Sequence, residues 1–435
     1  GYAADSEADE ARFIAEEIDR LMEEDSVRPG DVAVFYRTNA QSRALEEQFM
    51  RLGLPYRVVG GTRFYDRREI RDAVAYLRAV VNPDDTVSVR RIFNVPRRGL
   101  GGKTEATIAA YAAKRGISFG AALSEEIPGL TARATSAIGG LVELLNGLRQ
   151  AMEEGSAPDE ILEKAMTESG YSAELESSDD IQDRGRLENL AELRAVAVDF
   201  AADDPEATLG DFLERVSLVA DSDQLPLEGS EEEGSVTFMT LHTAKGLEFP
   251  VVFVTGLEDG TLPHMRSLAD DDELAEERRL AYVGLTRARQ RLYLSRATAR
   301  TTWGRRQFFP PSRFLTDIPE AVLEWRQENS PTEILGARTE GDWGASWGSA
   351  GDRMRRAPRP DKSEDADRPK FSTIKMRPAA EVPDLKVGDR VTHDSYGLGT
   401  VVALEGAGPK AVARIDFPGQ GVKRLILRMS PIDKL

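Results

Sequence analysis

Four short segments gather residue types that can handle a phosphate or a nucleotide. Thr240-Leu241-His242-Thr243-Ala244-Lys245-Gly246-Leu247-Glu248-Phe249 follows a strand-like run, and in open αβ sheets ligands sit outside the carboxyl ends of strands. Its hydroxyls, imidazole, ammonium and carboxylate could meet a nucleotide; a capped strand-to-helix loop with Lys245 and Glu248 as a solvated pair is the plain alternative. Residues 276–289 (EERRLAYVGLTRAR) form a charge-rich helical pattern with Arg287 near its end, beside Gly284 and Thr286. A planar, five-donor guanidinium there could reach a γ-phosphate supplied by a neighbouring domain, where a solvated helix face is the ordinary outcome. Residues 36–43 (YRTNAQSR) again stand between a strand and a helix, with donors at Arg37 and Asn39 that could hold a phosphate or a nucleic-acid strand. Helix capping by Thr38 or Asn39 would account for the same residues.

The fourth segment, Gly99-Leu100-Gly101-Gly102-Lys103-Thr104, ends like a phosphate-cradling P-loop but fails its pattern. The first glycine would have to stand at 97, where Arg97 sits, and proline interrupts Phe93-Asn94-Val95-Pro96 where an apolar strand is required. A backbone turn opening a helix, flanked by Arg97, Arg98 and Lys103, can hold a nucleic-acid backbone without reading bases. An ordinary Gly-rich loop between helices is the alternative. Trp303, in a polar stretch, could stack a base or be partly buried.

The elements that must position these residues alternate. Strand-like runs at 31–36, 55–59, 236–241, 251–255 and 291–295 are separated by helical patterns at 40–52, 67–81 and 273–289. Apolar runs of this kind suit a parallel sheet covered on both faces. Between about 82 and 232 only helix-period segments occur, as at 108–115, 137–152 and 186–201, so the expectation is one αβ domain carrying a helical insertion. A Gly-, Ser-, Pro- and Arg-rich stretch after about 320 reads as a linker. The last 50 or so residues hold short strand runs, DRVTH, GTVVALE, AVARIDF and KRLIL, that suggest a small β-barrel.

Composition limits what such a molecule can be. The 435 residues suffice for two to four domains, and no apolar run approaches the length of a membrane span. There is no cysteine, and His242, His264 and His393 show no zinc-ligand spacing, so neither a disulfide framework nor a metal centre is expected. A cytoplasmic location is expected. The net charge of −18 excludes a general coat for polyanions, so any nucleic-acid surface must be local. The opening residues, GYAADSEADEARF, lack the features of a signal peptide and read like the middle of a protein.

Taken together, the segments resemble the UvrD/PcrA/Rep family of superfamily 1 DNA helicases. YRTNAQSR is similar to the family's motif IV, TLHTAKGLEFPVVFVTGLEDGTLPH to motif V, EERRLAYVGLTRARQRLYLS to motif VI, and VPRRGLG to the duplex-contacting turn of the insertion. The resemblance implies a RecA-like domain 2A (1–81 and 233–320) interrupted by the all-helical 2B (82–232). A linker (321–383) and an SH3/Tudor-like β-barrel (384–435) follow. It implies that the family's first RecA-like domain, with its P-loop and Mg2+ ligands, is missing before Gly1, so the chain would not hydrolyse ATP alone. By the same resemblance Arg287 is the catalytic arginine finger, Glu248 and Arg37 serve the ATP site, and Asn39, Thr240, His242, His264 and Trp303 meet single-stranded DNA. Arg97, Arg98, Gly99, Leu100, Gly101 and Lys103 meet duplex phosphates. The implied function is the C-terminal portion of an ATP-dependent helicase moving 3′ to 5′ in repair or replication. Its partners would be single-stranded DNA and single/double-strand junctions, the missing first domain, RNA polymerase and nucleotide-excision-repair proteins. The rival is a noncatalytic module that binds DNA and docks RNA polymerase through the barrel, near whose end stand Lys423, Arg424 and Arg428.

Overall fold

Short apolar strands buried on both faces form the centre of the protein, a computed structural model describing residues 1–25, 27–178, 180–222, 234–302, 305–330, 383–394, 396–405, 411–418, 421–427, 430 and 432–435. The first sheet contains β1 (Tyr2–Ser6), followed by α1 (Glu7–Glu24), β2 (Val32–Tyr36), α2 (Ser42–Leu52) and β3 (Tyr56–Val59). After the helical part the chain returns as β4 (Val236–Thr240) and β5 (Phe249–Val254); the remaining members are β6 (Ala288–Thr302) and β7 (Arg305–Phe308). The strand order is β1-β6-β5-β2-β4-β3, all parallel, with β7 antiparallel to β6. Alternation along β2 divides two cores. Val32, Val34 and Tyr36 pack with Ile14, Ile18 and Phe49 of the α1–α2 layer. Ala33 and Phe35 pack on the other face with Leu280 and Ala281 of the helix Asp271–Leu285.

The intervening helices are α3 (Arg68–Val81), α4 (Thr86–Ile92), α5 (Gly102–Arg115), α6 (Phe119–Leu123), α7 (Ala132–Glu153), α8 (Pro158–Glu168), α9 (Tyr171–Glu176), α10 (Ile181–Asp203) and α11 (Leu209–Ser222). The helix Asp271–Leu285, between β5 and β6, is α12. No strand interrupts 82–222 among the described residues. Sequence periodicity assigned α3 to the sheet domain, but it packs among α4, α7, α8, α10 and α11. Polar contacts fasten this part to the sheet: the buried Arg43 of α2 meets Glu192 of α10 at 2.5 Å and Glu47 at 3.1 Å, and Arg67 donates to Asn189 at 2.7 Å.

The C-terminal sheet is antiparallel, built from β8 (Arg390–His393), β9 (Gly397–Glu405), β10 (Val412–Phe417), β11 (Gly421–Ile426) and β12 (Ile432–Lys434) in the order β11-β10-β9-β8-β12. It sits on α1 and α2, where the Lys423 ammonium lies 2.8 Å from Asp19 and 2.5 Å from Glu23. The expected linker begins later than its composition suggested. Residues 323–330 run along the sheet domain, with Ala3 N–H donating to Gln327 O at 2.8 Å and Arg326 paired to Glu17 at 2.5 Å. Its remaining positions, 331–382, lie outside the described residues, as do Trp303, Arg428 and the Arg424 side chain.

Candidate functional site

β2 and β4 are neighbours with Tyr36 opposite Thr240, so the segments that follow them emerge side by side at the carboxyl edge. The Leu241 N–H donates to Tyr36 O at 2.9 Å, and the Thr240 and Thr243 hydroxyls meet at 2.9 Å. Thr38 and Gln41 form a capping box, and Gln41 Oε1 accepts the N–H groups of Arg37 and Thr38, both at 2.9 Å. That leaves Asn39 exposed at the edge. Gly256, at φ 77°, is required here because a Cβ would lie 2.4 Å from Gln41 Nε2.

Arg37 is paired with an acid of α12. Its Nε and NH2 grip the buried carboxylate of Glu277 at 2.7–3.0 Å, and Glu277 also accepts the His264 N–H at 3.0 Å. Glu277 precedes the end of α12 by eight residues, about 12 Å along the axis. Arg37, expected at the ATP site, thus has its fork on Glu277, the carboxylate that also holds the His264 N–H. Partial burial, and next the Arg37 charge, hold the His242 imidazole below its ordinary pKa. His264 Nε2 lies 3.5 Å from Glu188 of α10, and a cleft of about 370 Å³ opens there, lined by Thr38, Gln41, Glu188, Glu192, His264 and Arg300. The loop bearing His264 is anchored by a cluster that the sequence did not disclose. Arg300 joins the buried Glu10 (2.6 Å) and Glu258, Glu10 accepts Gly256 N–H at 3.0 Å, and Glu258 accepts Ala297 N–H at 3.2 Å.

Motifs V and VI meet at the opposite edge. β5 starts beside β6, with Phe249 N–H donating to Arg287 O at 3.0 Å. Arg287 stands in the bend after α12, one residue before β6, rather than on the helix as periodicity implied. Its guanidinium donates to Val283 O (2.9 Å), Thr286 Oγ1 (3.0 Å) and Leu247 O (3.4 Å), all uncharged. Other arginines of this motif have carboxylate partners: Arg278 with Asp317, Arg279 with Glu276, Arg289 with Glu248 at 3.1 Å and Arg291 with Asp25. Arg287 makes no ion pair among the described residues.

The Gly-Lys-Thr run opens α5 and follows a loop after α4, not a strand. Arg98, half-buried, and Leu100, buried, hold this turn together from within. The Arg98 guanidinium donates to Ile92 O and Val95 O, both at 2.9 Å, and to Tyr76 OH. The Leu100 side chain is buried, and its N–H, like that of Arg98, goes to Asn94 Oδ1. Gly99 adopts φ 75°, a conformation glycine accepts without strain. Arg97, Gly99, Gly101 and Lys103 are exposed. Sequence spacing missed Arg133, near the start of α7, whose NH2 lies 3.5 Å from where a Gly99 Cβ would sit. The first N–H groups of α5 have no acceptor within the helix, so backbone donors and cations share one surface.

Comparison with known proteins agrees with this arrangement. The UvrD-like helicase C-terminal domain family matches residues 2–299, and the PcrA/UvrD tudor domain family matches 387–434. The chain is 49% identical to "ATP-dependent DNA helicase UvrD1" of Mycobacterium tuberculosis, over 100% of this chain and 55% of that relative. It is 46% identical to the protein of that name from Mycobacterium leprae, and 40% identical to "ATP-dependent DNA helicase PcrA" of Bacillus subtilis, over 100% of this chain and 56% of each. The chain thus spans about half the length of the curated relatives it matches. With a two-faced parallel sheet, a helical insertion and an antiparallel C-terminal sheet in place, the chain belongs to the UvrD-like helicase C-terminal domain family and carries a PcrA/UvrD tudor domain.

Proposed function

We propose that this chain is the C-terminal part of an ATP-dependent DNA helicase that moves 3′ to 5′ on single-stranded DNA and opens duplex in repair or replication. The observation that carries the reading is the uncompensated charge of Arg287, the arginine of its motif held among neutral acceptors at the exposed start of β5 and β6. A phosphate oxygen arriving from a P-loop domain stacked on this edge would replace the Leu247 carbonyl, and the guanidinium would stabilise charge developing on the transferred phosphoryl group. Arginine fingers contribute rate factors of about 10³ to 10⁵. Glu248, once released from the exposed and therefore weak pair with Arg289, would be available to a ribose hydroxyl. Among the described residues no group of three or more His, Asp or Glu side chains could hold a metal ion.

Single-stranded DNA would run across the carboxyl edge, past Asn39, Thr240, His242 and His264, while Arg97, Gly99, Gly101, Lys103 and Arg133 would take duplex phosphates. The tudor domain would dock a protein such as RNA polymerase or a nucleotide-excision-repair factor. No helix among the described residues is long and apolar enough to cross a membrane, and we place the protein's work on cytoplasmic DNA.

The test is DNA-stimulated ATP hydrolysis by the purified chain, alone and mixed with a P-loop RecA-like domain from a relative. Activity in the mixture, lost by about 10³-fold or more with Arg287→Ala, is the expected result. Silence in both with DNA still bound would favour the noncatalytic binding module.

A further inference from the structure

The surface proposed to take duplex phosphates already holds an anion of the chain's own. Glu174 of α9 reaches the turn, and its Oε2 accepts the Arg97 N–H at 3.0 Å. The side chain is exposed but its origin is fixed: Tyr171 and Leu175, on either side in α9, are each 4% exposed, and Tyr171 OH bonds Asp72 at 3.1 Å. Asn94 consumes the N–H groups of Arg98 and Leu100 from beneath, so the Arg97 N–H is the outward donor on this side of the turn. Glu174 makes no ion pair among the described residues, although the exposed Arg97, Gly99 and Lys103, with Arg133 beside Gly99, surround the same turn. A carboxylate oxygen and a phosphate oxygen are equivalent acceptors for one N–H, and only one of them can occupy it.

We infer that Glu174 is a built-in competitor for the duplex phosphate at this turn, so that DNA binding must displace the carboxylate and the affinity of the helical part is set below what its cations alone would give. The inference rests on the duplex-binding reading of the turn. Like charges 3 to 6 Å from a phosphate oppose it in the bound state as well, which a glutamine does not.

The experiment is fluorescence anisotropy of the full chain with a labelled blunt DNA duplex of about 20 base pairs, a length chosen to span a site of ordinary size, at low and moderate salt. Glu174→Gln should bind about three- to tenfold tighter at low salt, the range of one exposed charge contact. Glu176→Gln, an exposed acid two residues on, should change affinity by less than about twofold. Equal gains at 174 and 176 would mean that only long-range charge is felt, and would overturn the inference. So would no change, or weaker binding by Glu174→Gln, which would make the carboxylate a support of the turn. Failure of every variant and of the unaltered chain to bind duplex would instead remove the duplex-binding reading itself.

Discussion

Replacing Arg37 tests whether that residue is a brace or a ligand. Nε contacts both oxygens of Glu277 at 2.9 and 3.0 Å and NH2 adds 2.7 Å, with side-chain exposures of 20% for Arg37 and 6% for Glu277. Breaking a buried pair by removing one partner costs about 3–5 kcal/mol. Arg37 is only partly buried and Glu277 retains the His264 N–H, so Arg37→Ala is expected at about 2–3 kcal/mol, below that range. Arg37→Lys should recover less than half, because an ammonium cannot present two donors to one carboxylate in a plane. Amide hydrogen exchange in β2 and β4 reads the sheet separately from the helical part and the C-terminal sheet. Across Arg37→Ala, Glu277→Ala and the double variant, the coupling should be about 2 kcal/mol. A coupling under about 0.5 kcal/mol would refute the brace and return Arg37 to the pool of free cations.

Gly284→Ala would put a Cβ 2.4 Å from Leu241 Cδ2, which is fully buried. Overpacking costs about 1–3 kcal/mol and the helix gains up to about 1 from alanine, so stability should fall modestly while single-stranded DNA affinity falls severalfold, because His242 follows Leu241. Unchanged affinity in an anisotropy titration would sever that link. In the C-terminal sheet, burial, followed by the Arg51 charge, pushes His393 down to about 4 from the usual 6.5. Between those values the unfolded chain holds a proton that the folded chain refuses, so stability falls as pH drops through the window, by at most about 3 kcal/mol. His393→Phe, which keeps the stacking on Tyr396, should flatten the thermal-stability difference between pH 7 and pH 4.5; an undiminished difference would place the titration elsewhere.

What the sequence made legible is what local pattern controls. β2, β4 and β5 are apolar on both faces and were readable as parallel strands, and the helical periods between 108 and 201 fell inside α5, α7 and α10. β1 escaped because its buried residues are Ala3, Ala4 and Ser6, too small and polar to mark a strand, and its pairing with β6 spans nearly three hundred residues. α3 was misplaced because periodicity reveals that a helix has a buried face but not against what. The same limit governs the site. Thr240, His242 and Arg37 were legible as neighbours of strand ends, whereas the commitment of Arg37 to Glu277, of Arg289 to Glu248 and of Arg98 to the turn's carbonyls depends on partners that no spacing rule connects. Exposed cations and braced ones are the same letters in a sequence.

Two connectors join the edges of the sheet, and they touch. The segment from Thr240 to Glu248 starts at the carboxyl edge and ends at the amino edge; α12 spans the same distance, with Glu277 tied to Arg37 and its last residue beside Arg287. Gly284 is bare so that α12 can lie against Leu241, within a core too dense to absorb relative sliding. A nucleotide that pulled Arg287 outward would therefore load α12 along its axis and press on Leu241, and the load would arrive at His242, His264 and Arg37 together. Overpacking that contact is expected, besides lowering single-stranded DNA affinity, to weaken the effect of nucleotide and DNA on one another. The Gly284→Ala variant in the complemented motor measures this as a smaller DNA stimulation of ATP hydrolysis, and full stimulation would show that the edges communicate by another route.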